Sequence, residues 1–552
     1  MNALPASEHL LVAPVLLPLA TAAVLLMLGE RWRTARALLA VASALLGLAV
    51  AVALLLHVEA HGPMGAVYLP GDWPVPFGIV LVGDRLAGLM LVLAAATGVG
   101  SLLFSLARWQ RAGVHFHPLF QLQLMGLNGA FLTGDLFNLF VFFEVLLAAS
   151  YGLLLHGGGA ARVRTSLHYI SINLLASLLF LIGVALLYGV TGTLNMADMA
   201  QRLPHVPASD RGLLHAGAAI LGVAFFAKAA VWPLNAWLPP AYGAASAPVA
   251  SLFAILTKVG VYALLRLWSL CFPDSAGGSA LFGGDALVWG GMATLAFGAV
   301  GMLASQQLGR LAGFSIIATS GTLLAAIGFG QPALTAGALF YLASSTLAAV
   351  ALYLLVELLE RARQAEIDVP LEVTVGPLPV FADARPAAEV NLDDQELPLV
   401  GRAIPGALAF LGVAFVIVAL VVAGLPPLSG FVGKVAMLTA LLDPGIGAVG
   451  GTAARWTLFA LLVVSGFLSS IGLVRLGMRQ FWAPQDRPAP RLRVVECMPI
   501  GLLLGLCVLM VVRGDPALRY LRATADSLHR PALYIDAVRA ARPVARAPEA
   551  RR

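Results

Sequence analysis

The sequence predicts an all-α, polytopic membrane protein with about fourteen transmembrane helices. Three observations carry that reading. The 552-residue chain is 60% hydrophobic and 11% charged, with a mean hydropathy of +0.90; about a quarter of the residues of an ordinary soluble protein are charged. Its apolar runs are continuous rather than alternating, which excludes a transmembrane barrel. Its three lysines, Lys228, Lys258 and Lys434, all sit inside such runs, and its other 31 basic residues are arginine.

Spans of the ~20 residues a bilayer needs fall near 7–28, 34–57, 83–107, 117–134, 135–156, 165–190, 212–239, 244–270, 281–305, 309–329, 332–359, 404–442, 456–480 and 496–513. Only Thr133-Gly134-Asp135 separates the fourth from the fifth. The first run lacks a basic flank, so it reads as a retained helix and not as a cleaved signal.

Arginine sets the orientation. Arg31, Arg33 and Arg36, Arg108 and Arg111, Arg162 and Arg164, Arg310, and the set Arg475, Arg479, Arg487, Arg491 and Arg493 all fall on odd-numbered loops. That side is expected to face the cytoplasm, with both termini outside a cell (inner) membrane. The nine arginines after Val512 run against the rule, but late charges weigh less in it. The acidic inner loop 360–403 reads as a lateral arm or a linker. The tail 516–543 looks amphipathic, suited to a membrane surface or a partner.

Two spans are interrupted. Pro233 breaks the seventh and should free the carbonyl of Ala229; Pro426 and Pro427 break the twelfth and should free those of Val422 and Ala423. Irregular backbone at membrane depth survives only beside protein or a watery cavity. Paired breaks of this kind point to a transport site.

A charged side chain at the bilayer centre costs from roughly 3 to over 10 kcal/mol, so buried lysines are read as functional. Glu144 lies nine residues beyond Asp135, about 13 Å along its helix and near mid-membrane. A carboxylate there needs a cation, water or a proton, and Lys228 is the candidate partner. A neighbouring carboxylate lets such a lysine switch between holding and releasing a proton; a static ion pair is the competing reading. Lys258 lies deep in the eighth span, and Lys434 follows the second break. Between them Ser315, Thr319 and Ser344, Ser345 offer hydroxyls, for ordered water or for ordinary helix contacts.

Other chemistry finds little support. Cys271, Cys497 and Cys507 form no CxxC, and there is no phosphate-binding glycine loop and no HExxH. His57, Glu59 and His61 at a helix exit read as a solvated cluster, not a metal site. No cofactor and no metal are expected. The formal charge of +6 and the pI near 9.4 reflect arginine-rich loops and imply no nucleic acid.

Three stretches, DLFNLFVFFEVLLAASY, FFAKAAVWPLNAWLPPAYGAASAPVASLFAILTKVGVYALLR and AGLPPLSGFVGKVAML, resemble the antiporter-like membrane subunit family. That family comprises the large subunits of Mrp-type cation/proton antiporters, the proton-pumping subunits of respiratory complex I, and subunits of some energy-converting hydrogenases. The FFEVLLAASYGLLL segment and SLHRPALYIDAV resemble the D subunits of the Mrp type. The resemblance implies two inverted five-helix repeats with broken seventh and twelfth helices. The divisions are then an N-terminal three-helix segment (1–116), a first repeat (117–271), a second repeat (281–480, holding loop 360–403), and a last helix with its tail (496–552). It also implies proton transfer through Glu144, Lys228, Lys258 and Lys434, with other membrane subunits, protons, monovalent cations and lipid as partners. The implied function is proton translocation in a multi-subunit sodium/proton antiporter. The alternative is a pumping subunit of a complex I-type dehydrogenase or hydrogenase. Many relatives place histidine at Thr319 and Ser344 and lysine at Ala349, so the second repeat departs from a copied relay.

Overall fold

The computed structural model describes residues 9–111, 113, 115–367, 406–445, 449–481 and 492–542. Most of loop 360–403, together with Arg487, Arg491 and the arginines beyond residue 542, lies outside the described residues. Each predicted span overlaps a helix. The first half holds α1 (Ala13–Met27), α2 (Arg33–His61), α3 (Arg85–Ser105), α4 (Phe116–Leu132), α5 (Leu136–Leu155), α6 (Ala160–Thr191), the short α7 (Met196–Arg202), α8 (Ala208–Lys228), the short α9 (Leu238–Ala244) and α10 (Ala247–Cys271). The second holds α11 (Gly284–Ala304), α12 (Leu308–Gly328), α13 (Pro332–Ile367), α14 (Gly406–Ala423), α15 (Ser429–Leu441), α16 (Gly451–Phe481) and α17 (Val494–Val512), followed by the tail helices α18 (Gly514–Leu528) and α19 (Pro531–Ala540). Among the described residues, twelve helices are long and apolar enough to cross a membrane.

Local chemistry sets the helix starts. Asp84, Asp135 and Asn195 cap α3, α5 and α7 through their side chains, which satisfies otherwise orphaned N–H groups. Burial then sorts the helices. The apolar stretches of α10 and α13 are wholly buried and that of α12 nearly so, whereas α2, α14 and α17 bury a third or less. The core is therefore α10, α12 and α13, and the Leu- and Val-rich outer helices present their apolar faces to lipid.

Polar contacts mark the two ends of the bundle. At one end Arg162 donates to the carbonyl of Ala244, Trp109 to Glu357, Arg361 to Glu496, and Arg475 to the carbonyls of Leu303 and Ser305. At the other, Arg266 grips Asp84 through two bonds of 2.5 and 2.7 Å, under the rings of Tyr262 and Tyr534.

Two features correct the sequence reading. A short antiparallel ribbon, β1 (Met64–Tyr68) with β2 (Leu81–Asp84), interrupts the all-helical pattern. Its second strand runs straight into α3, and periodicity cannot separate so short an apolar run from the helix after it. The tail, expected on a membrane surface or a partner, folds back on the body of its own chain. The Tyr520 hydroxyl donates to the carbonyl of Arg85 at 2.7 Å, and His529 meets Thr335 at 3.1 Å.

Candidate functional site

Exposure decides first whether the lysines reach the headgroups. Lys228 is 5% exposed, Lys258 1% and Lys434 6%; all three amines are enclosed by protein.

Lys228 is the last residue of α8, where the helix carbonyls favour a cation. It makes no direct hydrogen bond to Glu144, its candidate partner. Ser177 of α6 stands between them. Its hydroxyl donates to the Glu144 carboxylate and accepts from the Lys228 ammonium at 3.4 Å. The Lys228 ammonium also lies 4.9 Å from the centre of the Phe143 ring, a cation–π arrangement. Glu144 itself is half-buried.

The first break follows at once. The chain leaves helical geometry at Ala230, whose φ is +55°. The carbonyl that gains a side-chain donor is that of Ala227, bonded by the Trp237 indole at 3.2 Å, and not the expected Ala229. The helix already ends at Lys228, five residues before Pro233, so the proline sits in the turn and not in the ladder. Thr294 of α11 accepts from the Trp232 N–H at 2.9 Å and steadies the turn. Gly260 lets α10 approach it: a Cβ there would lie 2.8 Å from the Ala229 nitrogen.

Lys258 donates to Thr319 at 2.7 Å and to Ser320 at 3.4 Å. Thr322, one turn of α12 further on, donates to the Ala318 carbonyl of its own helix, and Tyr341 of α13 is buried. Tyr341 packs against Gly433, where a Cβ would lie 3.0 Å from its backbone, and Gly433 precedes Lys434. At the second break Gly424 adopts φ +73° and closes α14, as glycine does at helix ends. Lys434 donates to the freed carbonyl of Ala423 at 2.9 Å. Ser344 donates to Ser429, the first residue of α15, at 2.7 Å. Ser315 and Ser345 instead bond the carbonyls of Ala312 and Leu342 on their own helices.

Sequence reasoning brings Glu144, Lys228, Lys258 and Lys434 to one interior but misses Ser177 and Tyr341. A signal for Ser177 exists: Ser166, Tyr169, Asn173 and Ser177 are all buried along one stripe of α6, at spacings of three and four. Among the described residues no three His, Cys, Asp or Glu side chains gather to hold a metal ion.

A helical membrane bundle with two broken helices and charged side chains in its interior is the architecture of an ion-translocating subunit. Known proteins place it more closely. Residues 133–371 match the family described as NADH:quinone oxidoreductase/Mrp antiporter, TM. A probable K(+)/H(+) antiporter D subunit of Rhizobium meliloti is 51% identical over 96% of this chain and 97% of its own length. A Na(+)/H(+) antiporter D subunit of Alkalihalophilus pseudofirmus is 32% identical over 96% and 99%. Among solved structures, a chain of the Mrp complex of Dietzia sp. superposes with a TM-score of 0.78 at 26% identity, covering 97% of this chain and all of that one. The chain belongs to the NADH:quinone oxidoreductase/Mrp antiporter family of multi-pass membrane subunits, with the D subunits of the Mrp type. A respiratory complex I chain of Thermus thermophilus shares the fold, with a TM-score of 0.73 at 23% identity over 95% of this chain and 99% of that one.

Proposed function

We propose that this chain is the proton-translocating D subunit of a multi-subunit monovalent cation/proton antiporter, a transporter and not an enzyme. One observation carries the reading: a serine hydroxyl links a membrane-embedded carboxylate to a buried amine at a helix break. A hydroxyl both gives and takes a hydrogen bond. Lys228 passes a proton to the Ser177 oxygen as Ser177 passes its own to Glu144, and the ion pair becomes a neutral pair. Reversal restores the charges, so the local field sets which form persists.

In this reading Lys258 receives the proton at the centre, with Thr319 and Ser320 as its hydroxyl contacts. Thr322 and Tyr341 then take the part that histidine plays in relatives, and Lys434 ends the route. Segments 117–271 and 281–480 are taken as two inverted repeats, each with one break. Other membrane subunits complete the complex, as the multi-subunit Mrp likeness suggests. The arginine-rich end faces the cytoplasm, and both termini lie outside. Relatives named for potassium and for sodium make both cations part of the test. Everted vesicles carrying the assembled complex should lose an imposed pH gradient on addition of potassium or sodium, and vesicles lacking this chain should keep it. Co-purification of flavin or iron–sulfur subunits would instead favour a pump driven by redox chemistry.

A further inference from the structure

The tail covers a polar site at the end of the bundle opposite the arginine-rich one. Lys258, Tyr262 and Arg266 recur at every fourth residue of α10, so they lie along one face of that helix. Arg266 stands about 12 Å along the helix from Lys258. Its guanidinium holds the Asp84 carboxylate and donates to the Tyr262 hydroxyl at 3.4 Å. The Tyr262 hydroxyl in turn donates to the carbonyl of Phe131 at 2.7 Å. Asp84, Tyr262 and Arg266 are all buried. Taking such a pair out of water is costly, and the groups that keep water from it are on the page.

Tyr534 of α19 is the cover. Its ring centre lies 5.3 Å from the Arg266 guanidinium carbon, and that of Tyr262 lies 5.5 Å from it, both within cation–π range. Tyr534 is itself buried, and its hydroxyl has no hydrogen-bond partner among the described residues. Gly134, in the turn between α4 and α5, makes room for it: a Cβ there would lie 3.0 Å from the Tyr534 hydroxyl. A phenol placed so contributes its ring more than its hydroxyl. The rest of the tail straps the ring down. α18 packs on α13, and α19 packs on α7 and β1, so the strap joins the two halves of the chain. Tyr520 and His529 tie it to Arg85 and Thr335.

We infer that the Asp84–Arg266 pair under Tyr534 is a proton-tight plug, which closes the lysine route toward the end opposite the arginine-rich one. The inference rests on the reading of Lys258 as a proton carrier. A fixed guanidinium opposes an incoming proton, and the ring excludes the water that would bring one. Without the ring, water solvates the pair and gains Tyr262 and then Lys258 along the same helix face. A carrier reached from both ends passes protons down their gradient with no cation in exchange.

The test is proton leak in vesicles carrying the purified complex, without sodium or potassium and with tetraphenylphosphonium to balance charge. An imposed pH gradient is followed with a trapped pH-sensitive dye, whose retention excludes general damage. The wild type and Tyr534→Phe, which keeps the ring, are expected to hold the gradient. Tyr534→Ala should dissipate it several-fold faster, and adding Lys258→Met to that variant should restore tightness. Where Tyr534→Ala does not assemble, Tyr534→Leu carries the same test, because it keeps apolar bulk and loses the ring over Arg266. An alanine or leucine variant as tight as the wild type overturns the plug. So does a leak that Tyr534→Phe shares or that Lys258→Met leaves unchanged. Cation-driven exchange retained by Lys258→Met alone would instead refute the carrier reading on which the plug depends.

Discussion

The Lys434 ammonium donates to the carbonyl of Ala423 at 2.9 Å, the carbonyl that Pro427, four residues on, leaves without a helical donor. The lysine thus closes the break that it follows. Lys434→Met removes both the proposed proton carrier and the cap. It should abolish cation-dependent collapse of a pH gradient and cost about 1–3 kcal/mol of stability through the stranded carbonyl. Vesicle transport and a melting curve in detergent read the two effects separately.

Ser177 offers a sharper division between relay and scaffold. Ser177→Ala removes a hydroxyl between two charged groups, a change worth about 1.5–3 kcal/mol, or roughly ten- to a hundredfold in an equilibrium. Transport should fall by that order, and Ser177→Thr should restore it. An alanine variant as fast as the wild type would show that Glu144 and Lys228 communicate without the serine.

Thr319 is the 2.7 Å acceptor of Lys258. Thr319→Val keeps the shape and deletes the hydroxyl; it should slow transport more than Thr319→Ser does. The comparison is made at equal amounts of assembled complex, judged by gel after mild solubilisation.

Gly260 holds α10 against the first break. A Cβ there would lie 2.8 Å from the Ala229 nitrogen, so Gly260→Ala forces backbone apart, at about 1–3 kcal/mol by the usual cost of overpacking. A lower melting temperature is expected, with reduced transport. Gly243, beside which nothing lies within 4 Å, supplies the control: Gly243→Ala should leave both unchanged.

The docked tail should respond to pH. Burial holds the His529 imidazole below its ordinary value. A depressed histidine contributes stability above its unfolded value of about 6.5 and loses it as the pH falls through that value. Hydrogen exchange over 514–542 should therefore be slower near pH ~7.5 than near pH ~5.5, after correction for intrinsic rates. His529→Gln should remove most of the difference.

Much of this is legible in the sequence, for a physical reason. A lysine or glutamate amid apolar residues is rare because it is costly, so Glu144, Lys228, Lys258 and Lys434 announce themselves. The prolines of both breaks do so too, though Pro233 marks the first break too late along the chain, because α8 stops at Lys228 before the proline acts. Ser177 and Tyr341 stay hidden because serine and tyrosine are common in membrane helices, and only packing shows Ser177 between Glu144 and Lys228 and Tyr341 against Gly433. The tail's apolar face is visible, but periodicity does not say what covers it; Tyr534 over Arg266 does. The β1–β2 ribbon is invisible because its second strand is continuous with α3.

At the centre of the proposed mechanism, a proton is exchanged between Glu144 and Lys228 and carried on to Lys434. The most direct test is pH-gradient collapse in everted vesicles carrying the complex with Glu144→Gln, Lys228→Met or Lys434→Met, assembled to wild-type levels. Each variant is expected to leave the gradient intact on addition of potassium or sodium. Collapse at the wild-type rate in all three would contradict the account.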